Sequence, residues 1–230
     1  RDEIGTGTMA AGIVVSEGKN NPAYRGIAPK AELIVIKLRS YISLFKEGRI
    51  NYKNTDFLVA ISYIIQKFKE INRPIILNFT LGTTSGRDIS QTLLNTFNEL
   101  YQSGFILVSG AGNQGNTDTH TEGIIEKVGD IKDIEIRVGE KQKNLPIIIW
   151  INKPNRVMLS IISPTGEIID NMEAKNTNNN RIKFLYEKTE MIVNFTSPEL
   201  STGDALIFIR AYNLKAGIWK FRLTGEYIVN

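Results

Sequence analysis

The period of the hydrophobic pattern changes near residue 116, and that change constrains the fold of this 230-residue chain more than any other feature. Upstream, nearly continuous apolar runs cover Glu32–Leu38, Ile75–Leu81 and Phe105–Ser109. Such runs mark strands buried on both faces of a parallel sheet. Between them lie two helical stripes: Phe57, Leu58, Ile61, Ile64, Ile65 and Phe68, then Leu93, Leu94, Phe97, Leu100 and Tyr101. Asn54 or Thr55 can cap the first stripe and Ser90 the second, while Ser40–Asn54 reads as a loop. Small apolar residues from Thr8 to Val15 predict a further helix, packed closely through Gly12. Strand, helix, strand, helix, strand implies parallel pairing with right-handed crossovers, and binding groups at the carboxyl ends of the strands.

Downstream the runs are short and strand-like: Ile134–Val138, Ile147–Ile151, Val157–Ile162, Arg181–Tyr186, Met191–Phe195, Ala205–Ala211 and Ile218–Leu223. With a turn signal at Pro164-Thr165-Gly166, this spacing predicts a β-sandwich or jelly roll. A single doubly wound sheet cannot bury both patterns. The expectation is therefore an α/β parallel-sheet portion over residues 1–120 and an all-β jelly-roll sandwich over 121–230. The polar segment from Asn116 to Gly123 is the linker. Trp150 and Trp219 are expected as core aromatics.

Composition narrows the chemistry. The net charge of +4 is spread among interspersed acids and bases, without the basic stripe of a nucleic-acid binder. No cysteine is present, which excludes disulfides, thiolate metal sites and a cysteine nucleophile. No apolar run is long enough to span a bilayer, and no signal peptide opens the chain. No metal or cofactor site is expected.

Four short motifs carry the functional signal. Gly5-Thr6-Gly7-Thr8-Met9-Ala10-Ala11-Gly12 is followed by Gly26-Ile27-Ala28-Pro29. Thr80-Leu81-Gly82 ends the second apolar run, and Ser109-Gly110-Ala111-Gly112-Asn113-Gln114-Gly115 ends the third. In this order they resemble the subtilisin-like (S8) serine proteases. There a His-Gly-Thr-His-x-Ala-Gly segment starts the helix of the catalytic histidine, and a Gly-x-Ala-Pro turn follows. The resemblance implies that Thr80, Leu81, Gly82, Ser109, Gly110 and Ala111 line a substrate cleft. It also implies that Asn113 holds the position whose amide donates to the oxyanion, a role suited to a neutral donor. Read from the turn alone, Gly-Asn-x-Gly is equally a backbone requirement for positive φ. A sandwich after this segment resembles the Csp proteases of clostridial spores, which carry a jelly-roll insertion there.

The chemistry fails at one position. Gly7, Thr8, Ala11 and Gly12 match the histidine segment, but Thr6 stands where the histidine belongs. A threonine hydroxyl has no accessible pKa near neutrality and cannot act as general base. The sole histidine, His120, lies in a polar loop where an exposed, solvated role is expected. Asp2 is too close to Thr6 to be the triad aspartate. The family's aspartate and Gly-Thr-Ser segments are not found, so the chain reads as the middle of a longer protein. The resemblance then points to the degenerate, pseudoprotease members of the Csp family. It implies a regulator of germination in the bacterial spore, acting on other Csp proteins or a cortex-hydrolase zymogen, or sensing a bile-salt germinant. The alternative is an active serine endopeptidase that processes that zymogen. A third reading is a β-rich interaction domain.

Overall fold

The computed structural model describes residues 2, 4–42, 50–82, 97, 104–173, 176–200 and 202–229. Two compact units form: among the described residues, one holds 2–41, 52–82, 97 and 104–115, and the other holds 42, 50–51 and 116–229.

In chain order the elements up to residue 115 are helix α1 (Thr6–Val15), a short 3-10 turn (Pro22–Tyr24), strands β1 (Ser40–Ile42) and β2 (Ile50–Tyr52), which pair with each other and whose residues Ile42 and Ile50–Asn51 group with the second unit, helix α2 (Asn54–Ile71), and strands β3 (Ile75–Phe79) and β4 (Phe105–Ser109). The strands β1 and β2 fall inside the segment expected to be a loop. Strands β3 and β4 pair in parallel, in register from Ile75 opposite Phe105 to Phe79 opposite Ser109. Helix α2 buries Ile61, Ile64 and Phe68 from its predicted stripe, while Leu58 stays exposed. Its aromatic rings fix it on the strands. Phe57 meets Phe79 with ring centroids 4.9 Å apart, and Phe68 meets Phe105 edge-on at 5.4 Å. Phe97 stacks on Phe105 at 5.1 Å; the rest of its predicted helical stripe, with the Ser90 cap, lies outside the described residues. Lys53 is the N-cap of α2 and makes no side-chain cap, so neither Asn54 nor Thr55 fills that role. Asn72 ends the helix in a left-handed conformation, its N–H bonded to the Phe68 carbonyl at 3.0 Å.

Several expectations fail in this unit. The run Glu32–Leu38 forms no ladder, and Leu33, Ile34 and Val35 are 52%, 46% and 71% exposed. Apolar composition permits a strand, but a strand also needs a partner backbone. None pairs with this run among the described residues. Glu32 instead grips the Arg73 guanidinium with both oxygens, at 3.0 and 2.7 Å. Strand β3 is covered on one face only: Ile76 is exposed, whereas a strand buried on both faces was predicted. Helix α1 forms as predicted but buries no residue, and a Cβ added at Gly12 meets nothing within 4 Å. Small side chains allow close packing without requiring it.

The second unit contains β5 (Ile131–Val138), β6 (Leu145–Ile151), β7 (Arg156–Ile162), β8 (Ile168–Glu173), β9 (Thr177–Phe184), β10 (Thr189–Thr196), β11 (Ala205–Tyr212) and β12 (Gly217–Tyr227). They make two four-stranded sheets, ordered β6-β11-β10-β9 and β5-β12-β7-β8, with antiparallel pairing throughout. Period-two alternation sends Trp219, Phe221 and Leu223 of β12 inward, and Ile207 and Ile209 of β11 likewise, so that both sheets share one apolar core. Trp219 is buried; its ring meets Phe184 edge-on at 5.0 Å, and its Nε1–H donates to the Lys215 carbonyl at 2.9 Å. Trp150 is different. It lies on the opposite face of β6 from the core residues Ile149 and Ile151 and is only half-buried. Strand β8 has no counterpart in the apolar pattern. A register shift between Leu159 and Ile161 and a positive φ at Asn171 break the alternation that would reveal it. Strand β9 stops at Phe184, leaving Leu185 and Tyr186 in a turn rather than in the predicted strand.

Candidate functional site

The segment around Thr6 is built on a helix start. Gly5 takes a left-handed φ of 85°, and the Met9 N–H donates to its carbonyl at 2.9 Å. The free amides of the first turn would otherwise lack partners. Asp2 serves two of them: its Oδ2 accepts from the Thr8 N–H at 2.8 Å and the Thr8 hydroxyl at 2.7 Å, and its Oδ1 from the Gly5 N–H at 2.9 Å. The Thr8 hydroxyl, then the Thr8 and Gly5 amides, hold the Asp2 carboxyl far below the usual aspartate range. Asp2 therefore acts as a cap. An acid shortly before a Gly-Thr helix start was the signal for this role.

Thr6 is the first residue of α1 and is exposed. Its hydroxyl can donate or accept a hydrogen bond but cannot store a proton near neutrality. The carboxyl end of α1 is strapped by the Gly-x-Ala-Pro turn. Gly26, Ile27 and Ala28 donate their N–H groups to the carbonyls of Ser16, Ile13 and Val14 at 2.8, 3.2 and 2.7 Å. Gly26 is needed there, because a Cβ would come within 2.7 Å of the Ser16 nitrogen and the Val14 oxygen.

Parallel register brings the other two motifs together. Phe79 and Ser109 are paired, so Thr80-Leu81-Gly82 and Gly110-Ala111-Gly112-Asn113 leave the same end of β3 and β4. All of these residues are exposed. Gly112 adopts φ 99°, and the Asn113 N–H donates to the Gln114 side-chain oxygen at 3.0 Å. The Asn113 side-chain amide has no hydrogen-bond partner among the described residues, which leaves its donors available to a ligand oxygen. Both the positive φ required by the turn, at Gly112, and an exposed Asn113 are present at once. Thr6 belongs to the same compact unit, yet no hydrogen bond among the described residues joins it to either segment. His120 is exposed, and no hydrogen bond among the described residues ties it to Thr6 or Asn113. No group of three or more His, Cys, Asp or Glu among the described residues is arranged to hold a metal. No described helix is long and apolar enough to cross a membrane.

A helix start carrying Gly-Thr, strapped by Gly-x-Ala-Pro, together with parallel strands that end in Leu-Gly and Gly-Asn-x-Gly, defines a subtilisin-type α/β framework. The chain belongs to the subtilase family, whose model matches residues 2–142. It is 34% identical over 116 residues to the minor extracellular protease Epr of Bacillus subtilis (strain 168), covering 50% of this chain and 16% of that protein. It is 30% identical over 114 residues to a subtilisin of Bacillus sp. (strain TA39), covering 50% of this chain and 25% of that protein. Among solved structures, the CspB protease of Clostridium perfringens superposes with a TM-score of 0.74 at 21% identity. That match covers 99% of this chain and 48% of the CspB chain. The likeness to CspB establishes shared fold, and the chain spans less than half the length of each of these relatives.

Proposed function

We propose that this chain is part of a catalytically inactive subtilase of the CspC kind, a pseudoprotease that regulates spore germination by binding rather than by cleavage. Thr6 carries the reading: a hydroxyl stands at the first position of the helix whose family counterpart presents the general-base imidazole. Subtilase chemistry needs that imidazole to deprotonate the nucleophile and then protonate the leaving group. The two-sheet unit fits a jelly-roll insertion following the oxyanion-type segment, with 1–120 and 121–230 as the two portions. Other Csp proteins or a cortex-hydrolase zymogen are the proposed partners, a bile salt the proposed small ligand, and the spore the proposed location. The test is to mix the complete protein carrying this chain with a cortex-hydrolase zymogen. Complex formation without cleavage, read by light scattering and mass spectrometry, is expected. Specific cleavage of the zymogen would reject the proposal.

One observation favours a second reading, an active endopeptidase. An exposed Asn113 stands at the oxyanion-type position, and the zymogen cleavage just described is the outcome that reading requires.

A further inference from the structure

Three turns at one end of the two-sheet unit are locked to one another by polar side chains. Glu167, in the β7–β8 turn, accepts the N–H groups of Leu185 and Tyr186 from the β9–β10 turn at 2.8 and 3.2 Å. Glu187, buried in the β9–β10 turn, reaches back and accepts the Thr165 N–H and hydroxyl at 3.1 and 2.5 Å. Thr189, fully buried, donates its hydroxyl to the Asn213 carbonyl at 2.9 Å and accepts the Lys215 N–H at 3.3 Å, which fixes the β11–β12 turn. Carboxylates that accept several backbone donors in this way order loops. The end of the unit is therefore a preorganised platform.

What the platform presents is apolar and basic. Leu185 and Tyr186 are 71% and 78% exposed although their backbone is pinned. Ile168 follows Glu167 directly and is exposed, and so is Ile218, next to Gly217, which abuts Pro164 of the same turn. Lys188 and Lys215 lie in the pinned turns, and Arg137 is the cross-strand neighbour of Ile218. All three cations are exposed, and none has an ion pair among the described residues. By contrast, Lys220 and Arg222 further along β12 are engaged by Asp133 and Glu135. Apolar side chains carried on a pinned backbone leave less to order on binding, and unpaired cations around them select a partner by charge.

We propose that this platform is a docking surface for another protein, one that offers an apolar segment flanked by carboxylates. A protein is favoured over an anionic lipid surface because Ile168 and Ile218 lie along the outer side of the sheet β5-β12-β7-β8 rather than at the turn tips, where a bilayer would be met. The proposal is independent of whether the chain cleaves peptides.

The experiment selects displayed random peptides on the intact chain, then maps the best ligand by amide chemical shifts. Selected sequences rich in Asp and Glu around Leu, Phe or Ile are expected, with shifts concentrated at 165–168, 185–188 and 215–218. Binding should weaken about tenfold or more in Leu185→Ser/Tyr186→Ser, and should fall with added salt in the parent but less in Lys188→Gln/Lys215→Gln. Both double variants alter exposed side chains, and unchanged amide spectra elsewhere will verify their fold. Failure to select ligands, selection without acidic bias, shifts centred elsewhere, or binding only to phosphatidylglycerol vesicles would each overturn the proposal.

Discussion

The Asp2 carboxylate takes the backbone N–H and the hydroxyl of Thr8 on a single oxygen, at 2.8 and 2.7 Å. Its other oxygen holds the Gly5 N–H at 2.9 Å. The start of α1 is thus organised by a charge outside the helix, favoured by the orientation of the first-turn amides. This has a defined pH sign. The folded-state pKa of Asp2 is lowered, so its contribution is complete above the ordinary aspartate value and is lost as pH falls through the lowered one. The Thr8 amide resonance should therefore titrate with an inflection below that of a free aspartate. An inflection at or above the ordinary value would show that the cap does not form. Asp2→Ala should speed hydrogen exchange at Thr8 and Gly5 and leave the two-sheet unit unaffected.

Gly26 and Gly12 should respond in opposite ways. Gly26→Ala forces a methyl to within 2.7 Å of backbone atoms of Ser16 and Val14. A clash of this kind costs about 1–3 kcal/mol, and the α1 amides should lose exchange protection accordingly. Gly12→Ala meets open space in the middle of a helix, and should stabilise α1 by roughly 0.5–1 kcal/mol. Loss of protection in Gly12→Ala, with none in Gly26→Ala, would reverse the assignment of which glycine the backbone needs.

Which parts were legible in the sequence follows from what each pattern encodes. Alternation records which face is buried, so the runs around Ile134–Val138, Ala205–Ala211 and Ile218–Leu223 mark real strands. Strand β8 was hidden because its bulge breaks the period. The helical stripe of α2 was visible, but its start was misjudged, since Lys53 precedes the helix without any side-chain cap. The run Glu32–Leu38 shows the limit of composition: it encodes a preference for burial, and only a pairing partner can supply the ladder. At the candidate site, the motif order placed Thr80–Gly82 and Ser109–Asn113 at one end of paired strands, as Phe79 opposite Ser109 requires. The tight approach at Gly26 was not legible, because a close backbone contact leaves no periodic trace.

Core and platform substitutions should separate cleanly in the two-sheet unit. Leu159 has no exposed surface, and Leu159→Ala should cost about 2–5 kcal/mol. Leu185 is 71% exposed, and Leu185→Ala should fall within about 0.5 kcal/mol of the parent. Urea denaturation followed by the fluorescence of Trp150 and Trp219 would measure both. Comparable losses at the two sites would mean that Leu185 belongs to the core and cannot serve a partner.

We propose above that Thr6 withdraws the general base. The most direct measurement is fluorophosphonate labelling of the complete protein that carries this chain, with an active subtilase as control and peptide hydrolysis recorded in parallel. No labelled serine is expected, and turnover should be lower than the control by about a millionfold, the loss seen when a triad histidine is removed. Stoichiometric labelling of a serine, with hydrolysis abolished when that serine is replaced by alanine, would contradict it.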